Sequence, residues 1–305
     1  MKRICALALF MLPAATALGQ ESETTNVTTK TVTVGGANLT SENWNVEDAT
    51  PVESGRVELR FTSRWITSGM PANLGDSDDD FIFTPGFAWG AAENLELFAN
   101  VPMWLGDGGD RGALDQGNYD PWVGFTWRIA EQSGNVPAFA TRFSARIPAC
   151  DDSSKSDVEG RLMLTNEYDS GIRSHINAFA ISANGNDGAP DLDDDVSLFG
   201  FGLGGLGFGL LDFGDEIDRR HFQWGLVFGM DGPLCADGAV RWVLDYMHRS
   251  SEYYGRTNTQ ILEAGWEWDI DDCNKLGMSV QVGLNRTGDS PNAGVGINYT
   301  RALTY

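Results

Sequence analysis

The chain has 305 residues, with 21 Lys and Arg against 43 Asp and Glu, for a formal net charge of −22 at neutral pH. That balance excludes nucleic acid as a partner, because a phosphate backbone demands clustered Lys and Arg. Hydrophobic residues make up 42% of the chain, yet beyond residue 19 no stretch reaches the roughly 18 consecutive apolar residues that a membrane-spanning helix needs.

Residues 1–19 have a basic start, a short apolar run and small residues at Ala17 and Gly19, which predicts a secretory signal peptide cleaved near Gly19 and Gln20. Cys5 precedes the apolar core, so it is not placed as a lipid anchor. Residues 20–54 are rich in Thr, Asn and Glu and cannot bury a core of their own. They are expected to form a polar N-terminal extension, mobile in the periplasm, with a plug folded into a lumen as the alternative.

From Arg56 the chain alternates. Val57, Leu59, Phe61 and Trp65 share one parity; Arg56, Glu58, Arg60, Thr62 and Arg64 share the other. Successive side chains of a strand point to opposite faces, so each such run has one apolar and one polar face. The pattern recurs at Phe81 to Trp89 and, after a tight turn, at Leu95 to Val101. It continues at Val123 to Ile129, Phe139 to Ile147, Arg161 to Tyr168, Ser174 to Asn184 and His221 to Met230. Val240 to His248, Gln260 to Trp268, Met278 to Arg286 and Asn292 to Tyr305 complete the set. The expectation for residues 55–305 is therefore all-β: an antiparallel up-and-down transmembrane β-barrel of about 12 strands, with long acidic outer loops and tight inner turns. A secreted β-sandwich is the lesser alternative. The Gly-rich stretch Leu198 to Leu211 lacks the strand before and the helix after that a phosphate-binding loop needs, and is placed in the fourth outer loop.

The last strand puts Val295, Ile297, Tyr299 and Leu303 on one face and Gly294, Gly296, Asn298 and Thr300 on the other, and reaches Tyr305. It resembles the C-terminal signal read by the barrel-assembly machinery, which makes that machinery and outer-membrane lipid the expected partners. Localisation is then the bacterial outer membrane.

The inward parity collects Arg56, Arg60, Arg64, Arg128, Arg142, Arg146, Arg161 and Arg241, with Glu58, Glu96, Asp245, Glu263 and Glu267 on the same face. Charges on a narrow lumen wall must pair or stay wet. One reading is a paired, closed filling; the other is an arginine-lined pore that favours anions. The second gives Arg56, Arg60, Arg64, Arg128, Arg142, Arg146, Arg241, Asp245, Glu263 and Glu267 as lumen-lining candidates.

The segments Asn94-Leu-Glu-Leu-Phe-Ala-Asn-Val-Pro102, Tyr119 to Arg128, Ala138 to Pro148 and His175-Ile-Asn177 resemble, in that order, the outer-membrane transporters of the MetA-pathway of phenol degradation family. The resemblance covers roughly Arg56 to Tyr305 and implies a barrel that moves small, including aromatic, molecules. It supplies no catalytic or binding residues.

The expected function is a passive channel or transporter for small aromatic or anionic solutes, not an enzyme, with no cofactor and no metal. A structural or adhesive barrel without transport is one alternative. The other is an outer-membrane lipid hydrolase using His248 as base and Ser250 as nucleophile. The acidic loop 184–195 fails the spacing of a helix-loop-helix calcium site. Cys150, Cys235 and Cys273 are odd in number and cannot make a complete disulfide framework, and Cys235 and Cys273 lie in inner turns one hairpin apart, free or paired.

Overall fold

The computed structural model describes residues 46–69, 77–105, 120–149, 156–183, 221–235, 238–251, 257–285 and 293–303, all within one compact unit of residues 36–305. The expected signal peptide, residues 20–45 of the extension, the loops around 107–115 and 187–195, Cys150, the Gly-rich stretch 198–211 and Tyr305 lie outside the described residues.

Alternation with a period of two becomes strand throughout. In chain order these are β1 (Val57–Gly69), β2 (Ser77–Ala92), β3 (Leu95–Asn100), β4 (Met103–Leu105) and β5 (Trp122–Ala130). Then come β6 (Ala138–Arg146), β7 (Val158–Glu167), β8 (Arg173–Ser182) and β9 (Phe222–Pro233). The last are β10 (Val240–Arg249), β11 (Thr259–Asp271), β12 (Asn274–Gly283) and β13 (Ala293–Leu303). All pairings between these strands are antiparallel, and β13 pairs with β1 from Val57↔Leu303 to Thr67↔Ala293, which closes the sheet on itself. Both β3 and β4 pair with β2, at Gly86↔Asn100 and Phe83↔Met103. They form one stave interrupted at Pro102, which has no N–H to give a ladder. The thirteen strands thus make a closed antiparallel barrel of twelve staves.

The first hairpin reaches further than its sequence suggests. The ladder between β1 and β2 runs out to Gly69↔Ser77, so the backbone of Asp78, Asp79 and Asp80 is strand and not loop. Backbone pairing between two strands does not depend on the charge of their side chains, so a ladder can continue past the last apolar residue. At one end of the barrel the connections are 93–94, 131–137, 168–172, 234–239 and 272–273; at the other they run to 183–221.

Register fixes which residues share a face. On the outer wall Trp65, Trp89, Trp127, Leu162, Phe228, Leu244, Val280 and Ile297 are exposed, Trp127 to 49% and Val280 to 60%. Phe61 stacks between Phe83 and Tyr299 at ring centroid distances of 6.5 and 6.4 Å, and Phe125 meets Phe143 at 5.9 Å. An apolar band of this extent is the lipid-facing wall of a transmembrane barrel.

The described part of the extension is docked where mobility was expected. Residues 46–54 dock on the inner wall as a strap with three apolar side chains spaced three apart. Val46 packs with Phe179, Val227 and Val243; Ala49 with Ala138, Ala140 and Met163; Val52 with Ala88 and Phe98. The strap ends in a parallel bridge from Ser54 to Gly90. Glycine is required beneath it: a Cβ on Gly90 would lie 1.9 Å from the Glu53 carbonyl oxygen, and one on Gly229 would lie 2.7 Å from Val46.

Candidate functional site

Inside the barrel, the polar parity brings the charged residues together as networks. Arg60 reaches Glu58 at 3.0 Å and Glu96 at 3.4 Å. Arg64 meets Glu263 at 3.6 Å across two intervening staves. Glu263 lies directly opposite Asp245, and both are buried. Arg146 is held by Asp120 at 2.8 Å and Asp157 at 3.2 Å. Glu267 pairs with Lys275 at 3.4 Å. Toward the end with tight turns, Arg56 donates to the Asp272 carbonyl at 3.2 Å, and Arg128 to Asn94 at 2.8 Å and Glu131 at 2.7 Å. These two guanidiniums therefore clasp turns, while Arg60, Arg64 and Arg142 border open space.

Around Asp231 a denser cluster forms. Its carboxylate accepts from Arg173 at 3.1 Å and from the Arg241 Nε at 2.7 Å, and it meets His175 Nε2 at 2.7 Å. His175 Nδ1 lies 3.0 Å from the Thr165 hydroxyl, which accepts the Ala49 N–H at 3.0 Å.

The strap is tied into these networks by its polar atoms. Asn177 grips the Glu47 backbone from both sides, accepting its N–H at 2.7 Å and donating to its carbonyl at 2.9 Å. The Glu47 carboxylate lies between Arg142 at 2.9 Å and Arg161 at 3.1 Å. Asp48 pairs with Arg173 at 2.6 Å, and the Val52 N–H donates to Glu96 at 2.9 Å. Burial pushes the Asp48 carboxyl up, but Arg173, His175 and the Thr50 hydroxyl together hold it below its ordinary 3.8. Arg142 also lies 3.6 Å above the centre of the Phe98 ring, a cation–π contact that fixes the guanidinium plane.

Beside the strap is a cavity of about 300 Å³ lined by Arg60, Arg64, Arg142, Glu47, Thr62 and Asn100 among others. Three guanidiniums and one carboxylate face it. That chemistry suits a small anion or a polar solute carrying hydrogen-bond acceptors.

No family model matches the chain, and no curated protein matches it. Among solved structures it is similar to the COG4313 outer membrane channel from Pseudomonas putida F1, with 12% identity over 84% of this chain and 98% of that one, at a TM-score of 0.56. It is also similar to the NanC porin, with 6% identity over 81% of this chain and all of the other (100%), at a TM-score of 0.50. At such identities the likeness establishes the shared barrel architecture.

The family-like segments quoted from the sequence turn out to contain the strap's receptors. Glu96 and Phe98 lie in Asn94 to Pro102, and His175 and Asn177 form the ends of His175-Ile-Asn177; these side chains meet Val52, Thr165 and Glu47. Arg173, Asp231 and Lys275 were missed as site residues although they share the inward parity, because each sits next to a turn where alternation is hard to extend. Glu47 and Asp48 carried no signal of their own beyond the spacing of Val46, Ala49 and Val52.

The hydrolase alternative needs a bond between His248 and Ser250. The Ser250 hydroxyl instead accepts the Trp224 N–H at 3.0 Å, and His248 Nε2 faces the Asn258 amide at 3.2 Å, so the base and the nucleophile are each engaged elsewhere. Cys235 and Cys273 are free thiols, each half-buried in its turn.

Proposed function

We propose that this chain is an outer-membrane channel for small solutes, with a cationic lumen that favours anions. The observation that carries this is the cavity of about 300 Å³ inside a closed barrel, bordered by Arg60, Arg64 and Arg142. Two proteins of similar fold are named a channel and a porin, which supports the reading. Export through residues 1–19 and assembly by the barrel-assembly machinery belong to the same proposal. The resemblance to the MetA-pathway family adds aromatic molecules to the solute class.

A guanidinium at the wall lowers the electrostatic barrier for anions, whereas exposed acidic loops are screened beyond about 8 Å at physiological salt. Reversal potential in a planar bilayer under a salt gradient tests the proposal. The wild type should prefer anions, and Arg64→Ala should shift that preference toward cations. Cation preference unchanged by the substitution would show that the loops rule. The absence of conductance would favour the structural barrel.

A further inference from the structure

Glu47 belongs to the strap and not to a stave, as Asp48 does, but of the two only Glu47 lines the cavity. Its carboxylate bridges Arg142 and Arg161, whose side chains are only 10% and 12% exposed. Arg161 also holds Glu159 at 3.0 Å, so withdrawing Glu47 without replacement would weaken chiefly the pairing of the buried Arg142 guanidinium, which is unfavourable. Exchanging it for another carboxylate keeps charge and hydrogen bonding in balance. The backbone permits such an exchange: Asn177 holds the Glu47 amide and carbonyl, and Val46 and Ala49 are each packed in an apolar patch. A rotation of the Glu47 side chain therefore opens one face of Arg142 while the strap stays docked. Space for the newcomer adjoins Arg142, since Glu47 and Arg142 both line the cavity, with Thr62, Thr84 and Asn100 to satisfy further polar atoms.

We infer that Arg142, at the cavity wall, binds the carboxylate of a small monocarboxylate solute, and that Glu47 is a tethered competitor which this carboxylate displaces. The inference rests on the proposal that the lumen admits solutes. It assigns the solute's chemical class and makes the strap a gauge of affinity. A neutral isostere carries no charge for the Arg142 guanidinium and so gains nothing there.

The test is isothermal titration of the purified full-length protein in micelles with propionate, and with propionamide as the uncharged control. Glu47→Gln should bind propionate at least about tenfold more tightly than wild type, because a neutral amide competes less well for a guanidinium than a charged carboxylate does. Glu47→Asp, which keeps the charge on a shorter arm, should fall between the two. Propionamide affinity should not change in either variant, and Arg142→Gln should abolish the gain. Equal or weaker propionate binding by Glu47→Gln and Glu47→Asp, or equal tightening for propionamide, would overturn the inference. Conductance is recorded separately in planar bilayers. Tighter propionate binding without any current overturns the channel proposal and leaves the site standing, whereas current without tightening does the reverse.

Discussion

The inner wall has two unlike sides. Along β12 and β13 the inward positions read Lys275, Gly277, Ser279 and Gln281, then Gly294, Gly296, Asn298 and Thr300, polar or small until Ala302. Along β2, β3 and β6 to β10 the same parity includes Ala88, Phe98, Ala138, Ala140, Met163, Val227 and Val243, all buried. The strap covers the second side and not the first. Apolar residues at lumen positions are thus the footprint of a docked segment, since an uncovered apolar side chain there would face water.

Removing charge should separate the two sides most strongly. Asp231→Ala strips the shared partner from Arg173, Arg241 and His175 on the covered side, and should cost about 3–5 kcal/mol. Gln281→Ala on the other side should cost about 1 kcal/mol. Denaturant midpoints of the two variants in micelles check the difference, and equal midpoints would mean that the Asp231 cluster does not anchor the wall.

Adding a methyl group sharpens the contrast. On Gly90 the new Cβ meets strap backbone, the Glu53 carbonyl at 1.9 Å, whereas on Gly277 it meets the end of the Asn298 side chain at 2.0 Å. A side chain can swing away and a docked backbone cannot. Gly90→Ala should therefore lose about 1–3 kcal/mol and release the strap, while Gly277→Ala should lose under about 1 kcal/mol. Limited proteolysis reads the release as a new cut within residues 46–54 of Gly90→Ala alone.

Acid gives the smallest effect. Asp48 has a folded value below its ordinary 3.8, so its contribution is fully present above 3.8 and is lost as pH falls through the folded value. Exchange of the Ala49 amide, held by Thr165, should stay slow at about pH 5 and quicken only below 3.8. In Asp48→Asn that acid step should vanish. Quickening already at about pH 5 would place the responsible group elsewhere.

Much of this was legible in the sequence. Parity alone gave the outer wall, the tight inner turns and the inward arginines, because the direction of a strand side chain is a local property of the chain. Where that local rule is interrupted, as at Pro102, the expected strand stops at Val101, whereas the stave resumes at Met103 to Leu105.

What the amino-acid order determined, then, was an alternating chain that puts lipid-compatible residues on one face and charge on the other, enough to specify a closed barrel. Tertiary structure alone decided which charges meet. Arg64 and Glu263 are far apart in the chain and on staves that are not neighbours. Glu47 finds Arg142 and Arg161 only because Val46, Ala49 and Val52 settle on patches drawn from seven different strands. No local pattern in residues 46–54 encodes that docking; its receptor exists only once the barrel has closed.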